Sequence, residues 1–193
     1  MRPIVRPLIA TLAVLLAALP IAAVAQSTGF VISAVGMADN GLLTKEGGSD
    51  TLSSDGKRPC GGLNRAPGFT WANAPAKTAS FAILEEDPDG RVGLGVHHWV
   101  HYNIPASVTT FSSADIGAKK YTPGMATGNI AGYRGPCPPL GDAAHHYIVT
   151  LYALDAPPAL PPGLDHDGVI AAMKGHILAA TTTIMRFQPA PAP

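Results

Sequence analysis

The sequence predicts a mostly β protein, an antiparallel two-layer sandwich with one helix late in the chain. Three observations lead there. The runs 80–86 (SFAILEE), 96–104 (VHHWVHYNI) and 145–154 (HHYIVTLYAL) are rich in β-branched and aromatic residues and lie between turn formers and prolines. Gly (21) and Pro (19) recur along the 193 residues and interrupt any long helix or coiled coil. Hydrophobic residues make up 47% and charged residues 13%, so there is apolar material for a core, unlike the composition of a disordered chain.

Taken in order, residues 1–25 read as a signal peptide: Arg2 and Arg6, an apolar run from Leu8 to Leu19, a break at Pro20, and a small-x-small site at Ala23-Val24-Ala25. The rival reading is an uncleaved anchor, against which the cleavage site and the proline both count. The folded domain is then 26–187. Phe30 to Val35 is a first strand, and Met37 to Pro59 is polar and glycine-containing, with Thr44 on a short strand. Asn64 to Pro75 reads as a loop that holds Trp71. The run 80–86 is closed by Asp87-Pro88-Asp89-Gly90, a type I turn composition. Ser107 to Asn129 shows no period and reads as a long loop. In 145–154 both faces are largely apolar, as in a strand covered on two sides. Asp167 caps a helix running through Val169, Ile170, Met173, Ile177 and Leu178, and 181–187 returns to strand. The tail 188–193 (QPAPAP) is a disordered Pro/Ala segment.

Thirteen basic and thirteen acidic residues balance, and without Arg2 and Arg6 the count is 11 against 13. Such a chain lacks the basic stripe of a nucleic-acid binder. Nothing else in it is apolar for long enough to span a membrane after signal removal. A periplasmic or secreted location follows from the leader. An oxidising compartment permits one disulfide between Cys60 and Cys137, the alternative being two separate buried thiols.

Polar groups concentrate at Asp87 and Asp89, at His97-His98, and at Gly135-Pro136-Cys137-Pro138-Pro139 followed by Gly141-Asp142 and then His145-His146-Tyr147. Strict alternation puts His98 on a face with Val100 and Tyr102, and His97 with Trp99 and His101. It puts His145 with Tyr147, Val149 and Leu151. Asp87, His98, His145 and Tyr147 therefore need one face of each strand to form a site. Imidazole N–H and phenol O–H donate to anions, and a carboxylate can orient an imidazole from its far nitrogen. Singly, DPDG is a turn, a strand histidine is a satisfied core or surface residue, and PCPP is a rigid loop. Their coincidence is what suggests a site.

The segments DPDG, VHHWV, GYRGPCPPLGD and HHYIVTLYALD, in this order, resemble the phosphatidylethanolamine-binding protein (PEBP) family, most closely its bacterial Raf-kinase-inhibitor-like branch. The resemblance runs from about Phe30 to Phe187. It implies a two-sheet antiparallel Greek-key β-sandwich with long loops and a small pocket for phosphate, acetate or phosphorylated head groups. It implies ligand-binding positions at Asp87, Asp89, His98, Gly135, Pro136, His145 and Tyr147, and a cis peptide bond at or near Glu86-Asp87. Departures are Gly90-Arg91 for the usual Ala-Pro, which would remove one wall of the pocket, Val96 for a tryptophan, and His146 for an arginine.

The function expected is a non-enzymatic binding protein with a small anionic ligand, no catalytic residues, no resident metal and no cofactor. Modulation of a partner protein, in the manner of a kinase or protease inhibitor, follows only by analogy. The rival class is a metal-dependent or thiol hydrolase built from the His/Asp/Cys cluster. It lacks an HExxH motif, a paired CxxC and a GxSxG elbow.

Overall fold

The computed structural model describes residues 29–52 and 60–189. The leader expected at 1–25 and residues 190–193 of the expected tail lie outside the described residues. Two residues of that tail are placed: the Gln188 side chain donates to the Asp142 carbonyl at 2.7 Å, and Pro189 is buried.

The strands are β1 (Val31–Ala34), β2 (Gly41–Leu42), β3 (Phe69–Ala72), β4 (Ser80–Asp87), β5 (Val96–Pro105), β6 (Thr110–Phe111), β7 (Thr122–Pro123), β8 (Met125–Ala126), β9 (Ile130–Ala131), β10 (His145–Leu154) and β11 (Ile177–Phe187). Six of them form one sheet in the order β2-β11-β10-β4-β5-β7, antiparallel except where β2 runs parallel to β11. A second sheet has the order β1-β3-β6, and β8 pairs with β9.

One face of the large sheet presents Phe81, Ile83, Trp99, Tyr147, Val149 and Leu151 to Ile32, Phe69, Trp71 and Phe111 of the small sheet. This is the sandwich core. The opposite face presents Ala82, Leu84, Val100 and Tyr102 to Val169 and Met173 of the His166–Met173 helix. β4 and β10 are thus covered on both sides, which explains their nearly continuous apolar runs.

The three long runs form strands as expected, and the weaker segments differ in detail. Trp71 lies on β3 rather than in a loop, packed edge-on to Phe81 at 5.5 Å. Thr44 precedes a short 3-10 turn, and the strand there is β2. The stretch 107–129 holds β6, a Ser113–Gly117 helix capped by the Ser112 hydroxyl, β7 and β8. The late helix is capped by Asp165, whose Oδ1 accepts from Gly168 N at 2.8 Å, rather than by Asp167. It also ends before Ile177. Lys174 is already extended, His176 N–H closes on the Met173 carbonyl, and Ile177 pairs with Leu154.

Candidate functional site

β4 delivers Asp87 to the end of the sheet, and the turn that follows locks its carboxylate. Oδ1 accepts from Asp89 N at 2.9 Å and from Gly90 N at 3.0 Å, a side-chain-closed turn. All peptide bonds among the described residues are trans, so the expected cis bond near Asp87 is absent, and the carboxylate closes the turn without it. Gly90 is required by space: a Cβ there would stand 2.7 Å from Val96 Cγ2 and 3.1 Å from Asp87 Oδ2. Beyond it Arg91 and Val92 are left-handed, with φ of 52° and 61°. Arg91 lines the pocket, so the Gly-Arg departure replaces a wall with a cationic one rather than removing it.

A β-bulge decides which histidine enters the site. Glu85 pairs with Trp99 but Glu86 pairs with His97, so β5 has one residue more than β4 at this point. The extra residue reverses the alternation. His98 therefore joins Trp99 and Tyr147 on the sandwich side, while His97 turns to the helix side. This corrects the strict alternation that grouped His98 with Val100.

Asp87, His98 and His145 converge on a cavity of about 200 Å³ whose wall also includes Arg134, Gly135 and the 137–139 segment. Asp87 Oδ2 lies 2.9 Å from His145 Nδ1 and 3.9 Å from His98 Nε2, with all three side chains at least nine-tenths buried. His98 Nδ1 is 2.8 Å from the Arg134 carbonyl. A carbonyl only accepts, so the His98 proton sits on Nδ1, and Nε2 turns its lone pair toward the cavity. Burial pushes the His98 imidazole down to about 4, against the raising effects of the Arg134 carbonyl and Asp87. It is neutral at physiological pH. His145 behaves oppositely. Burial opposes its charge, but hydrogen bonds and charges from Asp87 and Asp142 outweigh that and raise its basicity. Its Nε2 lies 3.4 Å from Asp142 Oδ2.

The remaining expected positions sit beside the cavity. Tyr147 is fully buried behind His98, the two rings edge-on at 5.1 Å, and its hydroxyl has no protein partner among the described residues. Burial, reinforced by Asp87 and Glu85, raises that phenol well above its ordinary range. Asp89 faces outward, where its Oδ2 accepts from His146 N and faces His146 Nδ1, both at 2.9 Å. This tie braces the start of β10 against the turn. The Pro136 carbonyl accepts from Ser49 N at 2.8 Å and supports the wall from behind. Gly135 does line the cavity. A Cβ there would stand 2.7 Å from the backbone of residues 47–49, so only glycine lets the loop pass. Cys60 and Cys137 form a disulfide with Cα atoms 5.5 Å apart, which joins the wall to the 60–65 segment. With both cysteines oxidised there is no thiol for a cysteine hydrolase.

Arg134 was missed in the sequence, Arg91 was read only as the loss of a wall, and Asp142 was placed in a polar segment without a role. Arg134 lies within the GYRGPCPP block that carried the family resemblance, and its position there was the available signal. Two histidines of the supposed cluster lie elsewhere: His101 is a core residue that accepts from Trp99 Nε1, and His97 faces the other side of the sheet.

The family model of phosphatidylethanolamine-binding proteins matches residues 37–188. A UPF0098 protein of Methanothermobacter thermautotrophicus is 36% identical over 129 residues, 65% of this chain and 83% of its own length. A Mycobacterium tuberculosis protein named as the lipoprotein LppC is 41% identical over 104 residues, 54% of this chain and 50% of its own length, so the chain spans about half of that relative. The crystal structure of Escherichia coli YbcL, described as a new member of the mammalian PEBP family, superposes with a TM-score of 0.72 at 28% identity, covering 82% of this chain and 98% of that one. A match over nearly all the described residues, joined to the shared sandwich, places this chain in the phosphatidylethanolamine-binding protein family.

Proposed function

We propose that this protein is an exported, non-enzymatic binding protein whose pocket takes up phosphate or the phosphorylated head group of a larger molecule. The observation that carries the reading is the buried Asp87–His145 pair at 2.9 Å with His98 beside it, in a cavity walled by Arg91 and Arg134. Arg91 and Arg134 supply positive charge along the wall, and Asp87 makes the His145 imidazole more basic. Asp87 and the His98 Nε2 lone pair supply acceptors. That combination favours an oxyanion carrying its own proton, such as a phosphate monoanion: its P–O⁻ oxygens meet the cations and its P–OH donates to His98 or Asp87. Among the lining residues there is no serine, threonine or free thiol to act as nucleophile, which supports binding over hydrolysis. The disulfide and the lipoprotein relative support an extracytoplasmic location.

Affinity for inorganic phosphate is expected to rise as pH falls from 8 to 5. The pocket selects the phosphate form that carries its own proton, and the share of that form grows as pH falls through the second ionisation of phosphate, while His98, held at about 4, stays a neutral acceptor. Binding then takes up protons, and lower pH favours the complex. Calorimetry in buffers of different ionisation enthalpy reads the uptake directly, while imidazole resonances report on His98 and His145. Resonances that stay unmoved at saturating phosphate would remove the reading. His145→Gln, which loses the charge-assisted contact to Asp87, should weaken phosphate binding by about tenfold or more. An unchanged dissociation constant for that variant, with a native circular dichroism spectrum, counts against the pocket.

A further inference from the structure

The bulge that sends His98 into the pocket sends its neighbour to the other face of the sheet, and there it meets a second histidine. We propose that His97, His166 and Asp167 form a site for a divalent transition-metal cation such as Zn²⁺, Ni²⁺ or Cu²⁺, separate from the anion pocket. The two imidazole rings stack with centroids 3.7 Å apart and planes 13° from parallel. One donor atom from each of the three residues lies within 4.8 Å of the others. Closing that spread to metal–ligand distances of about 2.0–2.2 Å requires the stacked rings to splay apart and the 2.9 Å contact between His166 Nδ1 and Asp167 Oδ1 to give way to the ion.

The backbones that present these groups are held from both sides. His97 N–H donates to Thr127 Oγ1 at 3.0 Å, and its carbonyl accepts from Thr127 N at 2.9 Å. His166 opens its helix directly after the Asp165 cap, and the preceding Leu164 carbonyl accepts from Met125 N at 2.9 Å. The 125–129 segment thus buttresses both histidines. It also floors a cleft of about 220 Å³ that opens beside them, with the Arg134 guanidinium tied to the Thr127 carbonyl at 2.9 Å at its margin.

The charge around the cleft suits a cation. Glu86, paired with His97 across β4 and β5, and Asp165 and Asp167 all act on the His97 ring as negative charges. A metal uses both rings as neutral nitrogen ligands. Two imidazoles and one carboxylate, with open positions for water, match the preferences of Zn²⁺, Ni²⁺ and Cu²⁺ rather than Mg²⁺ or Ca²⁺. Binding would tie the start of the late helix to β5.

Titrating Zn²⁺ into the chelator-stripped, otherwise intact protein tests this by calorimetry, with Ni²⁺-induced broadening of imidazole resonances as a second readout. One equivalent should bind, and broadening should strike His97 and His166 before His98 and His145. Asp167→Asn alters a side chain that is 88% exposed, so it tests ligation without endangering the fold. It and His166→Ala should each lower affinity by about tenfold or more, while His145→Gln and His146→Ala leave it unchanged. Wild-type affinity in both Asp167→Asn and His166→Ala, or loss of binding in His145→Gln instead, would overturn the proposal. So would broadening that begins at the pocket histidines.

Discussion

Replacing Glu85 by leucine is expected to raise the unfolding free energy by about 3 kcal/mol at pH 7. Glu85 is 0% exposed on the sandwich side of β4, and neither carboxyl oxygen has a hydrogen-bond partner among the described residues. Burial, helped by the charge of Asp87, raises its pKa from 4.5 to about 8. The folded protein therefore keeps a proton that the unfolded chain releases above pH 4.5. Stability attributable to this group is intact below that pH and is lost progressively as pH rises toward about 8. Leucine has similar volume, removes the desolvated acid and leaves no polar atom unpaired. The gain should shrink to a small residue at pH 4.5 and grow by pH 8.5. Glu85→Gln should abolish the alkaline slope with less gain, since its amide stays unsatisfied.

Urea unfolding of the three proteins across that pH range measures these slopes, and parallel slopes would refute the assignment. On the acid side the buried histidines act in the opposite sense. His98 and His101 are both pushed down from 6.5 to about 4 by burial. The unfolded chain takes up protons first, so stability falls as pH drops from 6.5 through 4. Wild-type stability should peak near pH 6.5, where the loss from Glu85 overtakes the gain from the two histidines.

Removing the disulfide in a Cys60→Ser/Cys137→Ser double variant should cost about 4 kcal/mol, and lower the thermal midpoint by about 10 °C. The bond closes a loop across a sequence separation of 77, and most of its effect is the freedom denied to the unfolded chain. There is a functional part as well. The wall at Gly135 is held to the 60–65 segment by this bond and by Gly135 N donating to Asn64 Oδ1 at 2.6 Å. Losing the covalent link loosens that wall and should weaken phosphate binding. Thermal unfolding with and without reductant supplies the control: reductant should lower the midpoint of the wild type and leave the double variant unmoved. A wild-type midpoint indifferent to reductant would contradict the bond's role.

The three long strands and the residues Asp87, His98 and His145 could be read from the amino-acid sequence, because β-propensity and turn chemistry are local. The run 80–86 stops at Asp-Pro-Asp-Gly, the run 96–104 at Pro105, and 145–154 at a proline cluster. Tertiary structure decided the rest. Which face His98 occupies depends on one unpaired residue between β4 and β5, a property of two strands together that neither strand's alternation contains. The same bulge brought His97 against His166, which come from different parts of the chain. That Glu85 is buried without a partner was equally hidden, since its burial is imposed by elements far away in sequence. So was the displacement of Asp89, Pro136 and Tyr147 from the wall, and the entry of Arg91 and Arg134 in their place. Local chemistry names the groups that can react or bind, whereas packing between distant segments fixes their environment and hence their charge.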